Sequence, residues 1–154
     1  MYNHAPKKYQ CPFCSIGKNL EEPHSEYKHV YAIYRDKDIT IFISKKQWPK
    51  NICVLIIPNK HYENVFDISD DLLAKIQIYG KKVALALKKA YKCTGITIRQ
   101  HNEPAGNQSV FHYHLQILPR YKNDELYRDH WKGFTISHDN RVLAAKLVKK
   151  YFKK

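Results

Sequence analysis

The spacing of hydrophobic positions changes along the chain, and each change predicts an element. His29 to Arg35 and Asp38 to Ile43 are short β-branched and aromatic runs separated by Asp36-Lys37, which predicts a hairpin. Ile52 to Ile57 predicts a central strand stopped by Pro58. From Ser69 the period lengthens: Leu72, Ile76, Tyr79, Val83, Leu87 and Ala90 form one face of an amphipathic helix. Ser69 is its expected cap, Asp70 and Asp71 suit the positive end of its dipole, and Lys88, Lys89 and Lys92 suit the negative end before Gly95. Ile96 to Arg99 predicts a strand, residues 101–109 a polar loop around Pro104 and Gly106, Val110 to Leu118 another strand, and Arg141 to Lys150 a closing basic helix. Strands, a helix and more strands joined by hairpin-length links predict an α+β fold on an antiparallel sheet. With no repeat and no Gly/Ser-rich linker, one domain over residues 1–154 is expected, beginning with a polar arm and a Cys-Pro-Phe-Cys knuckle.

Within the predicted histidine strand the polar residues alternate. In an extended chain side chains switch faces at every residue, so His112, His114 and Gln116 share one face, neighbours roughly 6.6 Å apart, while Phe111, Tyr113, Leu115 and Ile117 fill the other. A neutral imidazole presents a lone pair near pH 7 and can attack phosphorus. His114, flanked by polar residues, is the best placed of the histidines. The preceding Gly106-Asn107-Gln108-Ser109 offers an amide, a hydroxyl and backbone N–H groups that suit a phosphate. Gln116 can donate to the same phosphate but cannot titrate. The rival reading makes these residues the solvated face of an edge strand.

Cys11 and Cys14 have the spacing that lets both thiolates reach one Zn²⁺, and His61 and His112 are candidates to complete the four ligands. A redox pair and a metal-free knuckle remain alternatives. Cys53 and Cys93 lie in apolar or helical surroundings and are expected to be buried thiols.

Composition adds boundaries. Lys plus Arg exceed Asp plus Glu by 27 to 14, a net charge of +13 that draws polyanions without choosing among them. The lysine pairs are scattered, as on solvated helix faces. No apolar run approaches the roughly 18 residues needed to span a bilayer. The first residues lack the apolar region of a secretory signal, so a cytoplasmic location is expected.

The segment His112-Tyr-His114-Leu-Gln116-Ile-Leu-Pro119-Arg120 resembles the signature of the histidine triad (HIT) superfamily of nucleotide hydrolases and transferases. Cys11-Pro-Phe-Cys14 is similar to the zinc knuckle of bacterial members, Ile57 to Asn64 to their post-strand segment, and Gln100 to Ser109 to their phosphate loop. The likeness covers about residues 11–121, leaving 122–154 as an extension for which packing on the core is the expectation. It implies a HIT-like fold with a five-stranded antiparallel sheet and helices, paired as a homodimer. Carried over by position, it makes His114 the nucleophile that takes up a nucleoside monophosphate, with Asn102, Gln108, Ser109 and Gln116 around the phosphate. It makes Cys11, Cys14, His61 and His112 the ligands of a structural zinc.

Two positions depart from the pattern. Gln116 stands where many members have a third histidine, as in uridylyltransferases and fungal diadenosine tetraphosphate phosphorylases that pass the nucleotidyl group to a phosphate-bearing acceptor. Ser44 takes the approximate place of an Asp that binds the ribose hydroxyls. The resulting expectation is a nucleotide hydrolase acting at an α-phosphate through a nucleotidyl-histidine, on a dinucleoside polyphosphate or phosphoramidate, with Trp48 or a Tyr stacked on a base. The alternatives are transfer to phosphate or a sugar phosphate, and a nucleotide or nucleic-acid binding module without turnover.

Overall fold

The computed structural model describes residues 2–18, 31–47, 52–124, 126–127 and 134–153. His29, Trp48, Trp131 and the polar stretch leading to Lys28 lie outside them. The strands are β1 (Ala32–Arg35), β2 (Ile39–Ile43), β3 (Lys46–Gln47), β4 (Val54–Pro58), β5 (Gly95–Arg99), β6 (Leu115–Arg120) and β7 (Phe134–Thr135). The helices are α1 (Pro12–Gly17), α2 (Asp70–Tyr91) and α3 (His138–Tyr151). Five strands pair in the order β1-β2-β4-β6-β5, every neighbour antiparallel, and β3 pairs with β7 apart from them. This is the α+β, five-stranded antiparallel architecture expected from the resemblance. Among the described residues, no helix is long and apolar enough to cross a membrane.

Strand alternation gives the sheet two different faces. Ile39, Ile41, Ile43, Val54, Ile56, Leu115 and Ile117 point to the side covered by α2 and α3, where they meet Ile76, Val83, Leu87, Ala145 and Val148. Phe42, Cys53, Leu55, Ile57 and Leu118 point to the other side, covered by Ile16 of α1, Phe13 and Leu126. Each fully buried aliphatic side chain adds about 1.5–3 kcal/mol of transfer free energy, so both layers hold the sheet. The carboxy-terminal helix therefore packs on the core, through Ala144, Ala145 and Val148. Cys53 and Cys93 are buried as expected, and burial pushes the Cys53 thiol up to about 12.

Several boundaries differ from the reading of the sequence. The strand expected over Val110–Leu118 begins only at Leu115, because the Tyr113 N–H donates to the Tyr62 carbonyl (2.6 Å) and the His112 N–H to Val110 (2.8 Å), outside the sheet ladder. Pro58 is the last residue of β4 and pairs with Ile39. The Ser69 hydroxyl makes no capping bond to α2, whose first turn is closed by the Leu73 N–H donating to the Ser69 carbonyl (2.9 Å). The helix ends at Lys92, in the left-handed conformation at φ 49°, rather than at Gly95; the Lys88 ammonium covers the Cys93 carbonyl at 2.7 Å. Gly80 and Ala86 rather than Ala90 complete the buried face of α2.

The knuckle is a single helical turn. Cys11 is its cap residue and Pro12 occupies the first position, where a missing N–H costs nothing. Arg35 holds the far end by donating to the Ile16 carbonyl at 2.8 Å and to that of Gly17. Gly17 lies so close to the backbone carbonyl of Asn59 that an added Cβ would overlap it. Gly17→Ala must push α1 off the end of β4, and we expect a loss of about 1–3 kcal/mol in urea denaturation. Unchanged stability would mean that this contact does not fix the knuckle.

Candidate functional site

His112 and His114 lie just before β6, and two carbonyls fix their rings. His112 Nε2 is 3.0 Å from the Pro58 carbonyl, and His114 Nδ1 is 2.8 Å from the His112 carbonyl. A carbonyl only accepts, so the proton sits on Nε2 of His112 and on Nδ1 of His114. The opposite nitrogens, Nδ1 of His112 and Nε2 of His114, are left with free lone pairs aimed at two different sets of partners.

The His112 lone pair faces the knuckle. Its Nδ1 lies 3.2 Å from Cys11 Sγ and 3.9 Å from Cys14 Sγ, while His61 Nδ1 is 3.2 Å from Cys14 Sγ. All four donor atoms fall within 4.8 Å of one another. Tetrahedral zinc, with bonds of about 2.3 Å to sulfur and 2.0–2.1 Å to nitrogen, needs donor separations of about 3.3–3.8 Å; the three close contacts lie near that range, and the two thiols and two imidazoles are the donor types that the ion takes. Burial, followed by the bond with Cys14, pushes the Cys11 thiol up to about 12, so a thiolate here calls for a cation beside it.

The His114 lone pair faces Gln116. Nε2 lies 3.2 Å from the Gln116 carboxamide nitrogen, so the sequence expectation that these side chains share one side holds despite the later strand start. Burial, with smaller contributions from His101 and Arg99, pulls the His114 ring down to about 4, leaving it neutral near pH 7. Burial does the same to His112. His114 retains 5% of its surface while His112 retains none, so the two rings differ in access as well as in direction.

The residues expected around a phosphate divide. Ser109 is exposed, and Asn102 accepts the Val65 N–H at 2.9 Å while exchanging bonds with Gln100. Gln108 is turned into the loop: Oε1 accepts from the Glu103 N–H (2.7 Å), and Nε2 donates to the carbonyls of Glu63 (2.6 Å) and Val110 (3.1 Å). Its carboxamide holds the loop together, which corrects the expectation of a free phosphate donor. The N–H groups of Gly106, Asn107 and Gln108 are likewise bonded inside the turn, to Glu103 and Pro104 carbonyls. Ser44 is buried just beyond β2; its hydroxyl accepts from the Lys46 N–H at 3.2 Å and its carbonyl from Gln47 at 2.7 Å.

Two residues went unnoticed in the sequence. Phe13, between the two cysteines, meets His112, His114 and Phe42 edge to face at 5.8, 5.4 and 6.0 Å. Arg99 donates from Nε to Gln116 Oε1 at 2.6 Å. Phe13 reads as an ordinary apolar residue, and Arg99 is revealed only by the pairing of Arg99 with Gln116 across β5 and β6.

The chain is similar to known proteins in sequence and in fold. An uncharacterized HIT-like protein of Saccharolobus solfataricus is 31% identical over 114 residues, 74% of this chain and 76% of that one. The bis(5'-adenosyl)-triphosphatase of Saccharomyces cerevisiae is 36% identical over 89 residues, 52% of this chain and 42% of the yeast protein. The crystal structure of a Hit-like protein from Bartonella henselae, described as involved in cell-cycle regulation, superposes with a TM-score of 0.77 at 28% identity and covers 94% of this chain and 98% of its own. A family model described as HIT domain matches residues 27–123, from ahead of β1 to beyond β6, and the chain belongs to that family.

Proposed function

We propose that the chain is a nucleotide hydrolase or transferase of the HIT family in which His114 attacks an α-phosphorus. One observation carries this reading: the His112 carbonyl holds the His114 proton on Nδ1, which leaves the Nε2 lone pair facing Gln116 in a ring kept neutral. Family membership and the likeness to the yeast triphosphatase support the same class of substrate.

In the first step the Nε2 lone pair forms a P–N bond and the bridging P–O bond breaks, its electron pair leaving on the departing oxygen. The ring keeps its Nδ1 proton, and the positive charge it acquires is shared with the His112 carbonyl. In the second step a water oxygen bonds to the same phosphorus, the P–N pair returns to Nε2, and the proton of the water passes to solvent. A phosphate oxygen in place of water makes the second step a transfer. The Gln116 N–H can hydrogen-bond an oxygen of the phosphate in both steps. Because an amide supplies no proton, the best leaving group is one that departs as an anion. A phosphate does so near pH 7 and an amine does not, so a dinucleoside polyphosphate is favoured over a phosphoramidate.

Zinc held by Cys11, Cys14, His61 and His112 would supply folding energy and fix the backbone that carries His114. Its ligands point away from the His114 lone pair, which supports a structural role. Exposed Ile78 and Leu85 on α2 and Ile98 on the edge strand β5 support the homodimer that the resemblance implies. The binding-module alternative rests on the +13 charge alone.

His114→Ala should lower turnover of a diadenosine polyphosphate by roughly 10³-fold or more with the fold retained. Acid-labile, base-stable label from the nucleotide should accumulate on the wild-type protein alone. Full turnover by the variant would remove the nucleophile, and binding with no turnover by the wild type would favour the binding module. Reaction in ¹⁸O-labelled water, with and without inorganic phosphate, distinguishes the two acceptors: label in the released mononucleotide means hydrolysis, and a nucleoside diphosphate formed only with phosphate means transfer. For the metal, we expect about one zinc per chain, lost together with several degrees of thermal stability in Cys11→Ser/Cys14→Ser. Zinc-free protein of full stability would refute that assignment.

A further inference from the structure

Resting on the reading of His114 as nucleophile, we infer that Arg99 is a positioning residue: its guanidinium sets which end of the Gln116 carboxamide faces the attacking nitrogen. A glutamine amide is nearly symmetric in shape, and rotating it by half a turn exchanges a double donor for an acceptor. Gln116 lies between two groups that respond to this exchange differently. On one side Arg99 Nε is 2.6 Å away, and a guanidinium only donates. Whichever atom of the amide meets it must therefore be the oxygen. The NH₂ is thereby directed to the other side, where His114 Nε2 stands at 3.2 Å.

The orientation matters because of the proton already assigned. His114 carries its hydrogen on Nδ1, against the His112 carbonyl at 2.8 Å, so Nε2 offers a lone pair. An NH₂ group accepts that geometry and can pass its hydrogen bond to an entering phosphate oxygen. A carboxamide oxygen in the same place would oppose the lone pair directly. The ring could relieve this only by moving its proton to Nε2, which removes the nucleophile and sets Nδ1 against the carbonyl of His112. Arg99 thus acts at one remove, through Gln116, on the tautomer of the ring.

The fold fixes the pair. Arg99 and Gln116 are directly opposite each other on β5 and β6, and side chains of directly paired residues lie on the same face of a sheet. That face is the one that carries His114 and Phe13, away from α2. Arg99 is only half-exposed, so its bond is less screened than a surface contact would be. The arrangement gives a function to an arginine at the end of an edge strand, and it gives a reason why a glutamine can occupy the third motif position without adopting two orientations.

The test uses the purified full chain and a diadenosine polyphosphate. Arg99→Met should lower kcat roughly 10- to 100-fold with KM little changed, the range expected for losing one hydrogen bond to a charged group that acts on the chemical step. Arg99→Lys, which still donates to the amide oxygen, should recover most of that loss. Gln116→Leu removes the group through which Arg99 acts, so Arg99→Met added to it should cause no further loss. In ¹⁵N spectra of the imidazoles, His114 should be the Nδ1–H tautomer in the wild type and a mixture in Arg99→Met. Additive losses in the double variant, or wild-type kcat together with an unchanged tautomer in Arg99→Met, would overturn the inference. Absence of turnover in the wild type would defeat the nucleophile reading instead, and the ¹⁵N spectra would still decide whether Arg99 orders the amide and the ring.

Discussion

The rest of the site depends on one residue that faces two ways. The ring of His112, tied through Nε2 to the carbonyl of Pro58, belongs to the sulfur and nitrogen cluster of the knuckle. Its own carbonyl, 2.8 Å from His114 Nδ1, decides which nitrogen of the neighbouring ring keeps a lone pair. A displacement of His112 therefore disturbs both centres together. Carbonyl oxygens suit this task because they cannot donate, so each favours the tautomer that carries its proton on the facing nitrogen, and Gln116 supports that choice from the other side of the His114 ring.

Much of the surrounding structure keeps that segment still. The chain around His112 does not yet pair in the sheet, and its backbone is held by Tyr62 and Val110. Phe13 fills the space beside both rings, and Gln108 ties the preceding loop to Glu63. Gly17 and Arg35 bring α1 against the end of β4, close to His61. These contacts are individually modest, on the order of 1 kcal/mol for each neutral hydrogen bond. Together they cover a segment whose polar groups would be costly to leave unsatisfied in the interior.

The sequence was most legible where a pattern repeats. The apolar period of α2 and the unbroken β-branched and apolar runs of β2 and β4 identified these elements, since the helix buries one face and both strands are buried on two. The Cys11–Cys14 pair and the alternating His112, His114 and Gln116 were also readable, because their spacing is local, while His61 and His112 entered as candidate ligands through their places by the strands and through the family resemblance. Interactions across strands or loops were not. Gln108 looked like a phosphate donor because nothing in its own segment reveals that Glu63 and Glu103 would use its amide. Arg99 looked like the end of a strand because its partner is 17 residues away. Ser69 is the cap residue of α2 as expected, though its hydroxyl makes no capping bond there. Gly95 looked like the far boundary because its type favours one, yet the helix stops at the left-handed Lys92 and the Lys88 ammonium covers the Cys93 carbonyl.

The glutamine at position 116 connects the geometry to the choice of substrate. A histidine there could carry a proton to a basic leaving group, whereas an amide can only stabilise charge that the leaving group already bears. The proposed chemistry then suits bonds between phosphates, whose products are anions near neutral pH. Arg99, half-buried beside the amide, contributes to that chemistry through Gln116, whose oxygen it holds. Burial works against ionisation of both His114 and Arg99, but with different outcomes: the imidazole stays neutral near pH 7, while a guanidinium remains charged. In the proposed chemistry the two divide the work: the neutral ring keeps the lone pair that would bond to phosphorus, and the guanidinium, at 2.6 Å from the amide oxygen, keeps the NH₂ turned toward that ring without protonating it.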